Sequence, residues 1–103
     1  MKKLIRDGKV GVIYSPEYGA GWYTWNTNTP ELLFDENIIR HIEAEDIEGF
    51  NEYIKREYSI IASYYRLQDL SVQWLPIGTE FKINEYDGLE SIELKNEINW
   101  FIA

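Results

Sequence analysis

The fold is decided by the stretch EFKINEYDGLESIEL, Glu80 to Leu94, in which two alternating apolar and polar runs flank Asp87-Gly88. Asp-Gly between two such runs is the strongest short-range signal for a β-hairpin with a two-residue turn. The cross-strand pairs expected for this turn are Phe81–Leu94, Lys82–Glu93 and Ile83–Ile92. Because the turn and the apolar pattern specify the same register, we predict an antiparallel hairpin.

One pair in this register is unfavourable, since it places Glu85 opposite Glu90. Like charges directly opposite one another destabilise a sheet. Two solvated carboxylates that splay apart at the hairpin end are one interpretation. A cation site between them is the other.

The rest of the chain alternates between strand and helix signals. Lys9 to Tyr14 (KVGVIY) is rich in β-branched residues, and Leu70 to Leu75 alternates, so both are predicted strands. Trp22 to Trp25 fits either a loop or a short second strand. Ser59 to Arg66 fits either a helix or a strand, and Ile98 to Ile102 is expected to supply a closing strand.

Two helices are predicted in the middle of the chain. Asp35 and Asp46 are the expected N-caps, each followed by isoleucine or phenylalanine at helical spacing. The apolar positions are Ile38, Ile39 and Ile42 in the first helix and Ile47, Phe50 and Ile54 in the second. We therefore predict one α+β domain over residues 1–103, a mostly antiparallel sheet with two central helices packed on one face.

Composition narrows the function by exclusion. The chain has 103 residues, 18 acidic and 10 basic side chains, a formal net charge of −8 and no cysteine. Direct binding to nucleic acid or to an anionic membrane is disfavoured because both repel an acidic chain. No apolar run is long enough for a membrane span or a secretion signal, so we expect a cytoplasmic protein. The acidity indicates either solubility alone or a face that docks on a basic partner.

The most informative segment is SPEYGAGWYTWNTN, Ser15 to Asn28, called the aromatic loop below. Its aromatic rings suit stacking on nucleobases, worth about 1–3 kcal/mol per base, and its Asn and Thr side chains suit polar edges. The alternative is that the tryptophans are core residues and the glycines only shape a turn. The candidate ligand-binding residues are Tyr18, Gly19, Gly21, Trp22, Trp25 and Asn26, with Arg40 and Arg66 as phosphate contacts.

Residues that support catalysis are few. The only histidine, His41, lies in a helical stretch, and there is no Gly-x-Ser-x-Gly elbow. The acids of the Glu43–Glu48 stretch suit solvated helix ends better than a metal site. Gly19-Ala20-Gly21 lacks the lysine of a phosphate-binding loop. We therefore expect no enzymatic activity, no metal and no cofactor.

Three stretches resemble a family of small accessory proteins encoded by bacteriophages and prophages. They are SPEYGAGWYTWN (Ser15–Asn26), ELLFDENII (Glu31–Ile39) and QWLPIGTEFKINEYDGLESI (Gln73–Ile92). The middle of the chain, Glu43 to Asp69, carries no resemblance, and the family supplies no catalytic residues. The resemblance implies a role in the bacterial host cell against antiviral defence.

Two functions follow as expectations. The first is a homo-oligomeric binding protein that sequesters a nucleotide-like immune signal without cleaving it, using the aromatic loop. The second is an acidic inhibitor that uses the Glu43–Glu48 stretch to block the basic, nucleic-acid-binding surface of a bacterial defence protein. The aromatic loop favours the first function, whereas the net charge favours the second.

Overall fold

Two helices and five antiparallel strands make up the described part of this computed structural model, residues 3–60 and 65–95. The strands are β1 (Ile5–Arg6), β2 (Lys9–Tyr14), β3 (Ser71–Pro76), β4 (Phe81–Tyr86) and β5 (Leu89–Leu94). The helices are α1 (Glu36–Ala44) and α2 (Ile47–Tyr58). The predicted α+β class is confirmed. The closing strand predicted over Ile98 to Ile102 lies outside the described residues.

The strands form two separate sheets, one with the order β1-β2-β3 and the other made of the β4–β5 hairpin alone. Alternate residues of β2 explain this arrangement. Ile13 is fully buried in the core on the helix side, whereas Val12 packs with Leu75 in a second core that includes the hairpin. Both faces of β2 are thus covered, the helices lying on one and the hairpin on the other.

Close packing of α1 on the first sheet requires a glycine in β2. A Cβ on Gly11 would come within 2.9 Å of the Ile39 side chain and within 3.2 Å of the Trp74 ring. Gly11 and Trp74 are paired across β2 and β3. Because Gly11 has no side chain, the Ile39 side chain of α1 and the Trp74 ring of β3 can both pack against β2 at this position.

The predicted helix starts are confirmed. The Asp35 carboxylate accepts hydrogen bonds from the backbone N–H groups of Asn37, at 2.8 Å, and Ile38. Asp46 caps α2 through the N–H of Gly49 at 3.0 Å. Asp35 also accepts hydrogen bonds from the hydroxyls of two α2 residues, Tyr53 and Tyr58. One carboxylate therefore caps the first helix and ties it to the second.

The segment Ser59 to Arg66, predicted as either a helix or a strand, does not begin as a continuation of α2. The helix ends at Tyr58, and Ser59 follows with a φ of +57°, the left-handed conformation that commonly closes a helix. Within α2, Phe50 and Ile54 are buried as predicted, but Ile47 is 43% exposed. Residues 61–64 of the ambiguous segment lie outside the described part of the chain.

Candidate functional site

The aromatic loop is held against the turn of the β4–β5 hairpin by backbone hydrogen bonds. Gly19 N–H donates to the carbonyl of Asp87 at 2.6 Å, and Gly21 N–H donates to the carbonyl of Gly88 at 2.8 Å. A Cβ on Gly88 would lie 2.7 Å from the backbone of Gly19, so only glycine permits this approach. The two most distinctive motifs of the sequence are therefore one structural unit.

A buried carboxylate completes the unit. Glu90 is 1% exposed and accepts hydrogen bonds from the backbone N–H groups of Ser15, at 2.9 Å, and Thr24, at 2.8 Å. Glu85 does face Glu90 in the predicted register, but its side chain accepts a hydrogen bond from Gly88 N–H at 2.6 Å. The prediction of two solvated carboxylates is thus wrong for Glu90, which is buried because backbone donors satisfy it.

Trp22 belongs to the core and does not face a ligand site. It is fully buried, its indole N–H donates to the carbonyl of Leu32 at 2.8 Å, and its ring packs against Phe50. Its backbone N–H donates to the Ser15 hydroxyl at 3.1 Å instead of to a neighbouring strand. Residues Trp22 to Trp25 are accordingly turns and not the short strand that the pattern allowed.

Asn26 and Gly21 have structural partners in the fold. The Asn26 amide donates to the carbonyl of Trp22 at 2.7 Å and to the Tyr65 hydroxyl at 2.8 Å. A Cβ on Gly21 would lie 2.2 Å from the Trp25 ring, so that indole covers the glycine. Trp25 is nevertheless 54% exposed. Of these residues, Trp25 alone offers a broad ring to solvent.

Tyr18, Gly19 and Arg66, three of the predicted ligand-binding residues, meet at one cleft. It has a volume of about 200 Å³ and is lined by the rings of Tyr18 and Tyr65, by Arg66 and Asp69, and by the chain at Gly19. Arg66 is exposed and its carbonyl accepts a hydrogen bond from the N–H of Asp69, but no hydrogen bond or ion pair joins its guanidinium to another described residue. The cleft therefore combines two aromatic rings, one available cation and one carboxylate.

Arg40, the other predicted phosphate contact, is not part of this cleft. It lies on α1, where its guanidinium donates to Glu36 at 2.7 Å across one helical turn. The two arginines predicted to contact phosphate therefore lie at different places in the fold. Tyr65 and Asp69 line the cleft but were not predicted, because they fall in the part of the chain, Glu43 to Asp69, that carries no recognisable motif.

The acidic stretch Glu43–Glu48 is partly engaged in the fold. The two terminal N–H groups of the Arg6 guanidinium, at Nη1 and Nη2, donate to the two carboxylate oxygens of Glu43, and this hydrogen bonding lowers the pKa of the Glu43 carboxyl. Asp46 caps α2 and lies 3.3 Å from Nδ1 of the partly buried His41. Only Glu45 and Glu48 in this stretch remain as solvated carboxylates without an ion pair among the described residues.

Metal and membrane sites find no support in residues 3–60 and 65–95. Within those ranges no group of three or more His, Asp or Glu side chains is arranged to hold a metal ion. None of the helices described there is long and apolar enough to cross a membrane.

Comparison with known proteins identifies no family for this chain. No protein-family model matches it, and neither a curated protein nor a solved structure is significantly similar to it. The resemblance to phage proteins therefore stays a prediction, and functional proposals rest on the geometry of the cleft and of the loop–hairpin unit.

Proposed function

We propose that this protein is a non-catalytic binding protein that takes up a nucleotide-like ligand in the cleft between Tyr18 and Arg66. The observation that carries the proposal is the Arg66 guanidinium, which borders the same cleft as two tyrosine rings and has no partner among the described residues. Arginine presents a planar fork of donors that fits phosphate oxygens. In a protein of net charge −8, an arginine that borders a cleft and whose guanidinium has no partner within residues 3–60 and 65–95 is the feature best suited to an anionic ligand.

The other lining groups fit the rest of a nucleotide. Tyrosine rings stack on nucleobases regardless of sequence. Asp69 accepts hydrogen bonds, as a sugar hydroxyl or an exocyclic amino group requires. Of the residues predicted from sequence, Tyr18, Gly19 and Arg66 remain in this proposal, whereas Trp22, Gly21 and Asn26 support the loop from behind.

The size of the cleft bears on the oligomeric state. At about 200 Å³ it is smaller than the roughly 300–1,000 Å³ of sites that enclose a whole small ligand. We propose that a second protomer covers the open side, which gives a homo-oligomer with slow ligand release. Together with the resemblance to phage accessory proteins, this corresponds to sequestration of a nucleotide-like immune signal in the host cytoplasm.

The test is calorimetric titration with linear, cyclic and ADP-ribose-type nucleotides. Arg66→Ala is expected to weaken binding about tenfold or more, since a hydrogen bond to a charged group contributes about 1.5–3 kcal/mol. Arg40→Ala is the matched control, because it removes one arginine of α1 that does not line the cleft. Equal affinities of the Arg66→Ala variant and the unmodified chain would refute the site. Recovery of intact ligand after denaturation separates sequestration from turnover.

A further inference from the structure

The outer side of the loop–hairpin unit carries two exposed tyrosines, a surface called the tyrosine tip below. Tyr18 is 68% exposed and Tyr86 is 73% exposed. Their ring centroids are 6.3 Å apart and their planes meet at 77°, an edge-to-face pair. Large rings that stay in solvent instead of joining the core are a mark of interaction surfaces.

The frame under the tyrosine tip is fixed. Gly19, which follows Tyr18, donates its N–H to the carbonyl of Asp87, which follows Tyr86. Gly21 and Gly88 make a second backbone hydrogen bond beside it. Because these bonds join segments that are distant in sequence, the backbone positions that carry the two rings are held together before a partner binds.

The charges around the tip have one sign. Glu17, Glu85 and Asp87 are exposed beside the tyrosines. Residues 10–39 and 83–94, which include the aromatic loop and the hairpin turn, contain no lysine or arginine. Arg66 borders the tip only through the cleft that it shares with Tyr18. A partner that meets this surface must therefore supply positive charge.

We infer that the tyrosine tip docks on an arginine-rich surface of a protein partner. Guanidinium groups stack on tyrosine faces and pair with carboxylates in the same contact, which ammonium groups do less well. Polyanionic macromolecules such as nucleic acids are repelled by the three carboxylates. The tip shares Tyr18 with the proposed ligand site and differs from that site in Tyr86, Glu85 and Asp87, which do not line the cleft.

The test is fluorescence anisotropy of a labelled arginine–glycine repeat peptide titrated with the full chain, with a lysine–glycine peptide of equal length beside it. The tip variants are Tyr86→Ala and the pair Glu17→Gln/Asp87→Asn. Asparagine tolerates the φ of +50° at position 87, so the turn is kept. The matched control is Glu48→Gln/Glu52→Gln, which removes the same charge from exposed positions of α2.

Tighter binding of the arginine peptide than of the lysine peptide supports the proposal. Tyr86→Ala is expected to weaken binding of the arginine peptide about two- to fivefold, the effect of one exposed cation–π contact. The Glu17→Gln/Asp87→Asn variant is expected to weaken this binding more than the Glu48→Gln/Glu52→Gln variant. Equal weakening by both pairs would overturn it, as binding would then follow net charge alone. No peptide binding, with self-association that Tyr86→Ala abolishes, would overturn it too by assigning the tip to a second copy. Arg66→Ala tests only the cleft.

Discussion

Replacing Gly88 with alanine tests whether the aromatic loop and the hairpin are one unit. Gly88 occupies the second turn position with a φ of +83°, and its hypothetical Cβ lies 2.7 Å from both Cα and N of Gly19. The chain supplies its own control in a second Asp-Gly turn. There Gly8, between β1 and β2, has a φ of +74° and nothing within 4 Å of its Cβ position.

The two substitutions share the strain of a positive φ and differ in the clash. A left-handed conformation costs a residue other than glycine about 1–2 kcal/mol, which is the whole loss expected for Gly8→Ala. In Gly88→Ala the loop must also move away from the turn. That movement breaks the hydrogen bonds Gly19–Asp87 and Gly21–Gly88, each worth about 0.5–1.5 kcal/mol. The expected total is about 2–5 kcal/mol.

Equilibrium urea denaturation of both variants measures the difference, as the free energy of unfolding extrapolated to water. Gly88→Ala is expected to lose about 2 kcal/mol more than Gly8→Ala, a sizeable part of the roughly 5–15 kcal/mol that stabilises a domain. Equal losses would show that the close approach of Gly19 to Gly88 contributes nothing. The aromatic loop would then be stable without support from the hairpin turn.

Three further predictions concern side chains that the fold buries in whole or in part. Glu90→Gln is expected to lower the free energy of unfolding by about 2–3 kcal/mol, since one of the two backbone N–H groups that donate to Glu90 then faces an amide N–H group. Glu93→Gln, at an exposed position of the same strand, is expected to change the free energy of unfolding little. A similar loss in both variants would contradict the buried role of Glu90. Trp22→Ala is expected to cost about 3–5 kcal/mol in denaturation, and Trp25→Ala much less, because only the first ring fills the core. Tyr58 has its pKa raised by burial and by Asp35, so the folded state holds that proton more tightly. This stabilisation is complete below the ordinary tyrosine pKa near 10 and is lost as the pH rises above it, so Tyr58→Phe is expected to flatten the alkaline decline in melting temperature.

The parts of the fold that could be predicted are those fixed by neighbours in sequence. The register of the β4–β5 hairpin follows from a two-residue turn, and the cross-strand pairs match those expected from the sequence. The caps at Asp35 and Asp46 likewise depend on N–H groups within three residues. Local chemistry decides such features, and the surrounding fold leaves them unchanged.

The candidate site could be predicted only in part, because it is made by contacts between distant segments. The hydrogen bond from Thr24 to Glu90 joins residues 66 positions apart, and no local pattern reveals it. The same hydrogen bond explains why Glu90 is buried and Glu85 is exposed, although the two residues are paired across the hairpin. Trp22 and Trp25 are also indistinguishable by composition, although one ring fills the core and the other is half exposed.

The position of Tyr18 links the two proposed binding surfaces. Its ring lines the cleft with Arg66 and also makes the edge-to-face pair with Tyr86. A ligand that stacks on Tyr18 and a partner that covers the tip therefore act on the same side chain, and any coupling between them must be reciprocal. A substitution at Tyr18 would weaken both equilibria and assign neither. Arg66 and Tyr86, one confined to the cleft and the other to the tip, are consequently the residues whose substitution separates the two functions.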